Sequence, residues 1–176
     1  AQAQIGGQHG GSYYSGYISN LRVVKGGALY TSSFTPSTTP LTTTVSAGTV
    51  SLLTCQSNQF IDNSSNNYTI NVSAGAPSVQ RFSPFNPTSA YSTATIGGSG
   101  YFNGSGDSLK TTNTNLSALS PETGDFCAEG WIYLTTVPTT TYSTWPVLFN
   151  TTMVSGGSGY VNLGDDSDYG IFFQYR

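Results

Sequence analysis

The stretch DFCAEGWIYL, residues 125–134, decides the class of fold. Phe126, Ala128, Gly130, Ile132 and Leu134 fall on one side of an extended chain, and Asp125, Cys127, Glu129, Trp131 and Tyr133 on the other. A period of two over ten residues is that of a half-buried β-strand. A second stretch, YISNLRVV at 17–24, repeats the pattern, with Tyr17, Ser19, Leu21 and Val23 facing one way and Ile18, Asn20, Arg22 and Val24 the other. The run Lys25-Gly26-Gly27 then ends it. Residues 50–55 and 68–72 read as a hairpin-like pair around the turn DNSSNN at 62–67, whose side chains can bond their own backbone. GYFNGSGD at 100–107 is strand followed by tight turn, and 147–149 and 170–175 continue as strands. Residues 5–16 read as a Gly-rich loop, and the Thr-, Ser- and Pro-rich 31–49 as an extended linker or edge.

Composition agrees with this local reading. Twelve Tyr, nine Phe and two Trp supply a core, while 21 Gly and eight Pro supply turns. Only 7% of residues are charged, against about a quarter in ordinary soluble domains, and no long amphipathic helix can be written. The class is all-β. The basic residues Arg22, Lys25, Arg81, Lys110 and Arg176 are scattered in a chain of net charge −3, so nothing clusters to neutralise phosphates and a nucleic-acid partner is excluded. No apolar run has the length of a bilayer span, so helical membrane insertion is not expected. The chain opens on Ala rather than Met, which is expected of a processed chain or a window of a longer one. Cys55 and Cys127 either form one disulfide or sit as small buried hydrophobes, and the absence of a cysteine framework favours the second.

Four runs carry a family resemblance. GYISNLRVVKG at 16–26 with ALYTSSFTP at 28–36 resembles the closing strands of laminin-G-like, concanavalin A-like jelly-roll domains that occur in tandem in phage structural proteins and some bacterial surface proteins. GGSGYFNGSGDSL at 97–109 with TGDFCAEGWIYL at 123–134 resembles the opening strands of the same domain. LLTCQSNQFIDNSSNNYTI at 52–70 and VQRFSPFNP at 79–87 are similar to the connector between copies. Cys127 departs from the pattern, which has Thr there. The resemblance implies an antiparallel jelly-roll β-sandwich in permuted order: residues 1–73 closing one repeat with its connector, 74–96 a linker marked by Pro77, Pro84 and Pro87, and 97–176 opening the next. Without middle strands, the faces and edges of 17–24 and 126–134 would stay bare unless copies of the chain or adjacent repeats completed them. The expected work is therefore structural or adhesive, in a virion or at a cell surface, with host glycans as a further partner. A secreted carbohydrate-binding domain or glycan hydrolase of the same fold is the alternative.

The chemistry-bearing residues are few. Glycoside hydrolysis needs two carboxyl groups across the scissile bond, and Glu122, Asp125 and Glu129 are the candidates, but Glu122 falls out of phase with the other two. The single histidine, His9, lies in a Gly-rich loop with no relay around it. The reading is no enzyme. Asp165, Asp166 and Asp168 are close together in what reads as a loop, and their hard oxygens suit calcium, which the resemblance places at a loop rim; a solvated turn is the competing reading. No other cofactor is expected. Six Asn-X-Ser/Thr triplets, at Asn63, Asn67, Asn71, Asn103, Asn115 and Asn150, are what a chain rich in these residues generates by chance. Tyr13, Tyr14, Tyr142 and Trp145 lie in polar or Gly-rich contexts with Asn and Gln nearby, where rings can stack on sugar faces; capping the core or a subunit contact suits them equally.

Overall fold

A computed structural model describes residues 2–7, 13–85, 97–111, 119, 124–135, 147–152, 161–166 and 170–175. The described residues contain no helix. The strands are β1 (Gln2–Ile5), β2 (Ser15–Lys25), β3 (Thr49–Thr54), β4 (Ile70–Ala74), β5 (Ser78–Gln80), β6 (Ser99–Asn103), β7 (Ser108–Thr111), β8 (Phe126–Leu134), β9 (Val147–Thr152), β10 (Val161–Asp166) and β11 (Gly170–Tyr175). Six form one antiparallel sheet in the order β11-β10-β9-β1-β7-β4. The other five form a second antiparallel sheet, in which β3-β2-β6-β5 follow one another and β8 also pairs with β2. Side chains of both sheets meet in one core, including Ala3, Ile5, Leu109 and Phe149 from the first and Ile18, Leu21, Val23, Leu52 and Phe102 from the second. The protein is a β-sandwich, as the period-two stretches and the absence of helix formers require.

β2 organises the second sheet. β8 runs along one of its edges, while the other edge is shared end to end, by β6 against 15–18 and by β3 against 21–25. The junction falls at Asn20, which is fully buried with φ +54°, in the left-handed region that Asn tolerates better than most residues. There β2 carries an extra residue: Ser19 pairs with Trp131 and Arg22 with Glu129, so Asn20 and Leu21 together oppose Gly130. A Cβ on Gly130 would stand 3.3 Å from Leu21 Cα, and glycine removes that conflict.

The bulge corrects the facing of β2. Simple alternation puts Leu21 and Val23 with Tyr17, but the structure packs Ile18, Leu21 and Val23 together in the sandwich core. Val24 packs in a second cluster on the outer face, with Leu41, Val50 and Leu53. One additional residue reverses the side of everything after it. β8 has no such residue, and its Ala128, Ile132 and Leu134 face the core while Cys127 and Trp131 face outward, as its alternation predicts.

Other differences also come from pairing. The expected hairpin of 50–55 with 68–72 does not form, because β3 pairs with β2 and β4 with β7 in the opposite sheet. β1, which immediately precedes the Gly-rich stretch and which no sequence pattern marked, joins β7 to β9. The faces expected to lie bare are covered, since the six-stranded sheet closes the inner side of β2 and β8. Residues 74–96 are described through 85, where they supply β5, hydrogen-bonded to β6. Segment 31–48 forms neither an edge strand nor a free linker: it is irregular chain with several bends, and its Leu41 and half-buried Val45 strap the outer face of β2 and β3.

Asn20 ties these parts together. Its N–H donates to the Cys55 carbonyl at 3.0 Å, and its Oδ1 accepts from Leu41 N–H at 2.9 Å and from Gln56 Nε2 at 2.6 Å. Asn20→Ala is expected to destabilise the fold by about 3 kcal/mol, because it leaves two buried donors unpaired and puts a Cβ without a compensating side-chain bond into the left-handed region. Asn20→Gly is expected to cost about 1 kcal/mol less, since it restores only the backbone freedom. Urea denaturation of the three proteins checks both the size and the order.

Candidate functional site

The register of the second sheet makes an aromatic row. Tyr17 of β2 pairs with Tyr101 of β6 on one side and with Tyr133 of β8 on the other. The ring centroids lie 5.1 Å and 6.0 Å from that of Tyr17, at tilted and edge-on angles that suit aromatic quadrupoles. Phe82, just after β5, lays its ring 5.0 Å from Tyr17 and 5.4 Å from Tyr133. Further along β8, Phe85 meets Trp131 edge to face at 4.9 Å. Tyr133 stays 56% exposed and Phe82 39% exposed, so the row presents ring surface to solvent.

Between these rings is a cavity of about 150 Å³, lined by Tyr17, Ser19, Phe82, Ser99, Trp131 and Tyr133 among others, and none of the described residues in its wall is charged. Ser99 is buried, and its Oγ has no hydrogen-bond partner. A buried hydroxyl without a partner costs roughly 1–3 kcal/mol, so a ligand that satisfies it gains what the free protein forgoes. Ser χ1 has three staggered wells, through which the hydroxyl can turn toward an occupant. Ser19, by contrast, donates to the Gly98 carbonyl and accepts from Asn20 Nδ2, which couples the cavity wall to the Asn20 junction. An apolar, ring-lined hollow with the unpaired Ser99 hydroxyl in its wall suits a neutral ligand that offers a C–H face and a polar edge.

Glu129 is next along the outer face of β8, and it is fully engaged. Arg22 donates to its Oε1 from Nε at 2.7 Å and from Nη2 at 2.6 Å, while Arg22 Nη1 reaches the Thr42 carbonyl at 2.8 Å. Tyr30 donates to Oε2 at 2.6 Å, and the Tyr30 ring stacks on Phe34 with centroids 3.8 Å apart. The ion pair is thus the clasp that holds the 28–45 strap against β8. Asp125 contributes a carbonyl to Gly26 N–H at 2.7 Å, and Glu122 lies outside the described residues.

The residues singled out from sequence fall elsewhere. Tyr14 is wholly buried in the core, where its hydroxyl donates to the Tyr17 and Tyr133 carbonyls at 3.1 and 3.2 Å; it presents no ring face to a ligand. Tyr13 is half-buried and bridges to Gly7. Tyr142, Trp145, Asp168 and His9 lie outside the described residues. Asp165 and Asp166 are the last residues of β10, paired with Ile171 and Gly170, and not in the loop expected for calcium ligands. No cluster of three metal-ligating side chains occurs among the described residues. The aromatic row escaped a linear reading because Tyr17, Tyr101 and Tyr133 meet only through strand register. The available signal was that Tyr17 with Ser19, and Trp131 with Tyr133, each shared a strand face.

Both cysteines are free thiols. Burial pushes the Cys55 thiol up to about 12 from an ordinary 9.0, and burial followed by the Glu129 charge pushes Cys127 up to about 11. Burial, then the hydrogen bond to Glu129, raises the Tyr30 hydroxyl from 10.0 to about 12. All three groups keep their protons in the fold at a pH where the unfolded chain loses them. The stability they contribute is complete below about pH 9 and is lost as pH rises toward about 12. Urea midpoints are therefore expected to show no loss attributable to these groups up to about pH 9 and to fall above it; a midpoint still level at pH 11 would contradict this origin.

Comparison of the chain with protein-family models, with curated proteins and with solved structures finds no match.

Proposed function

We propose that this protein is a non-catalytic adhesive component of a virion, such as a phage tail or fibre, or of an extracellular surface structure, and that it holds neutral glycans in the aromatic cleft of its five-stranded sheet. One observation carries the reading: exposed rings of Tyr133 and Phe82 flank a hollow that has no charge among its described lining residues and in whose wall the Ser99 hydroxyl has no partner. Sugars combine apolar C–H faces, which stack on rings, with hydroxyls that satisfy such a group. The laminin-G-like resemblance of runs 16–26 and 123–134 points the same way. Engagement of Glu129 by Arg22 and Tyr30 favours binding over hydrolysis, since a carboxylate held in an ion pair is poorly placed to exchange protons with a glycosidic oxygen.

Association with copies of itself, or with adjacent repeats of a longer chain, is the structural half of this role. Low charge density reduces repulsion on packing, and β4 lies at an edge of the six-stranded sheet with Val72 51% exposed.

A panel of arrayed neutral oligosaccharides tests the binding half. Retention of at least one glycan is expected, with affinity reduced about tenfold by Tyr133→Ala, the size of one lost ring contact, and a few-fold by Ser99→Ala. Absence of binding to every member at millimolar concentration, by a protein whose circular dichroism shows the β-sandwich, would overturn it.

A further inference from the structure

The aromatic cleft is not the only ring platform on this face. β8 presents Glu129, Trp131 and Tyr133 outward in succession, and each has aromatic company: Tyr133 has Phe82 and Tyr17, Trp131 has Phe85, and Glu129 has Tyr30 with its stacked Phe34. Phe34 is 55% exposed, yet it is not a loose side chain. Its ring lies against Tyr30 at an interplanar angle of 15°, and the Tyr30 hydroxyl is fixed to a carboxylate that Arg22 already holds. A large apolar ring held at the surface by a three-member chain of contacts is a preorganised platform. The strand itself sets the spacing. Four residues separate Glu129 from Tyr133, which at the rise of an antiparallel strand is about 14 Å.

We infer that the outer face of β8 is an extended binding strip for a linear, neutral oligosaccharide, with one subsite at Tyr133, Phe82 and Ser99 and a second at Phe34 and Tyr30. This rests on the glycan reading of the cleft and adds the length of the ligand to it. Tyr30 is fastened to β8 at Glu129, about 14 Å along the strand from Tyr133, so a chain lying along β8 can meet both platforms, whereas a single sugar ring seated at Tyr133 does not reach that anchor point. Trp131, half-buried between them with Phe85 against it, keeps the intervening surface apolar. Glu129 is neutralised by Arg22, so its charge is not left unpaired at the second platform. Joining two weak subsites through one ligand raises affinity without new contacts at either, because the second contact becomes intramolecular.

The test is calorimetric titration with size ladders of β-1,4-linked glucose, β-1,4-linked N-acetylglucosamine and α-1,4-linked glucose, each from the dimer to the hexamer. For at least one ladder the hexamer is expected to bind about tenfold or more tightly than the dimer. Phe34→Ala, a surface change whose fold is checked by near-ultraviolet circular dichroism, is expected to abolish that gain and leave dimer affinity unchanged. Tyr133→Ala is expected to weaken dimer and hexamer alike. Affinity independent of length, or a length gain that Phe34→Ala leaves intact, would overturn the strip while the Tyr133-dependent cleft stands. Failure of every ladder to bind would overturn the strip together with the reading on which it rests.

Discussion

A single buried amide, that of Asn20, is the constraint on which the second sheet depends. β2 must accept β6 and β3 in turn along one edge and β8 along the whole of the other. Two strands cannot abut on one edge without a gap in the ladder, and the gap exposes backbone groups that water cannot reach inside a sandwich. Asn20 fills it from both ends of its own residue. Its N–H meets the Cys55 carbonyl, and its side chain meets Ser19, Leu41 and Gln56. Gln56 in turn donates to the Leu41 carbonyl at 2.7 Å and accepts from Asn63 at 3.2 Å. A loop, a strand end and a turn are thereby joined to the centre of β2.

The same device recurs with carboxylates. Asp62, 4% exposed, accepts from the backbone N–H of Leu53, Ser64 and Tyr68 and from the Ser64 hydroxyl. Asp107, 1% exposed, accepts from Asn103 N–H at 2.8 Å and Ala76 N–H at 2.6 Å, at the corner where the chain leaves β6 for β7 in the other sheet. Gly75, with φ +66°, has no Cβ that would collide with that carboxylate. With eight acidic residues in the chain, two of them serve loop backbones rather than solvent or chemistry. Buried polar side chains thus do in the loops what ladders do in the sheets.

This arrangement accounts for the position of the cleft. The strap of residues 28–45 covers the outer face of the second sheet over the C-terminal half of β2, leaving the aromatic row over its N-terminal half. Arg22, Glu129 and Tyr30 fasten the strap beside the cleft, and Ser19 links the cleft wall to Asn20. The aromatic cleft is therefore attached to the most constrained part of the fold, which preorganises its rings.

The sequence by itself determined the all-β class, the alternation of β8 and the self-bonded turn at 62–67, because each depends on neighbours within a few residues. It placed β3, β6 and β8 within a residue or two and β4 about two residues early. Pairing was beyond it. Whether residues 50–55 meet 68–72 or β2 is decided by which surfaces bury most, and that sum runs over the whole chain. The bulge at Asn20 illustrates the limit, since YISNLRVV alternates as written and only the fit of β2 against three strands inserts the additional residue. Tyr17, Tyr101 and Tyr133 are separated by 84 and 32 positions along the chain and become one row only through that register. Local chemistry chose the strands; tertiary packing chose their partners, and with them the face on which the aromatic row lies.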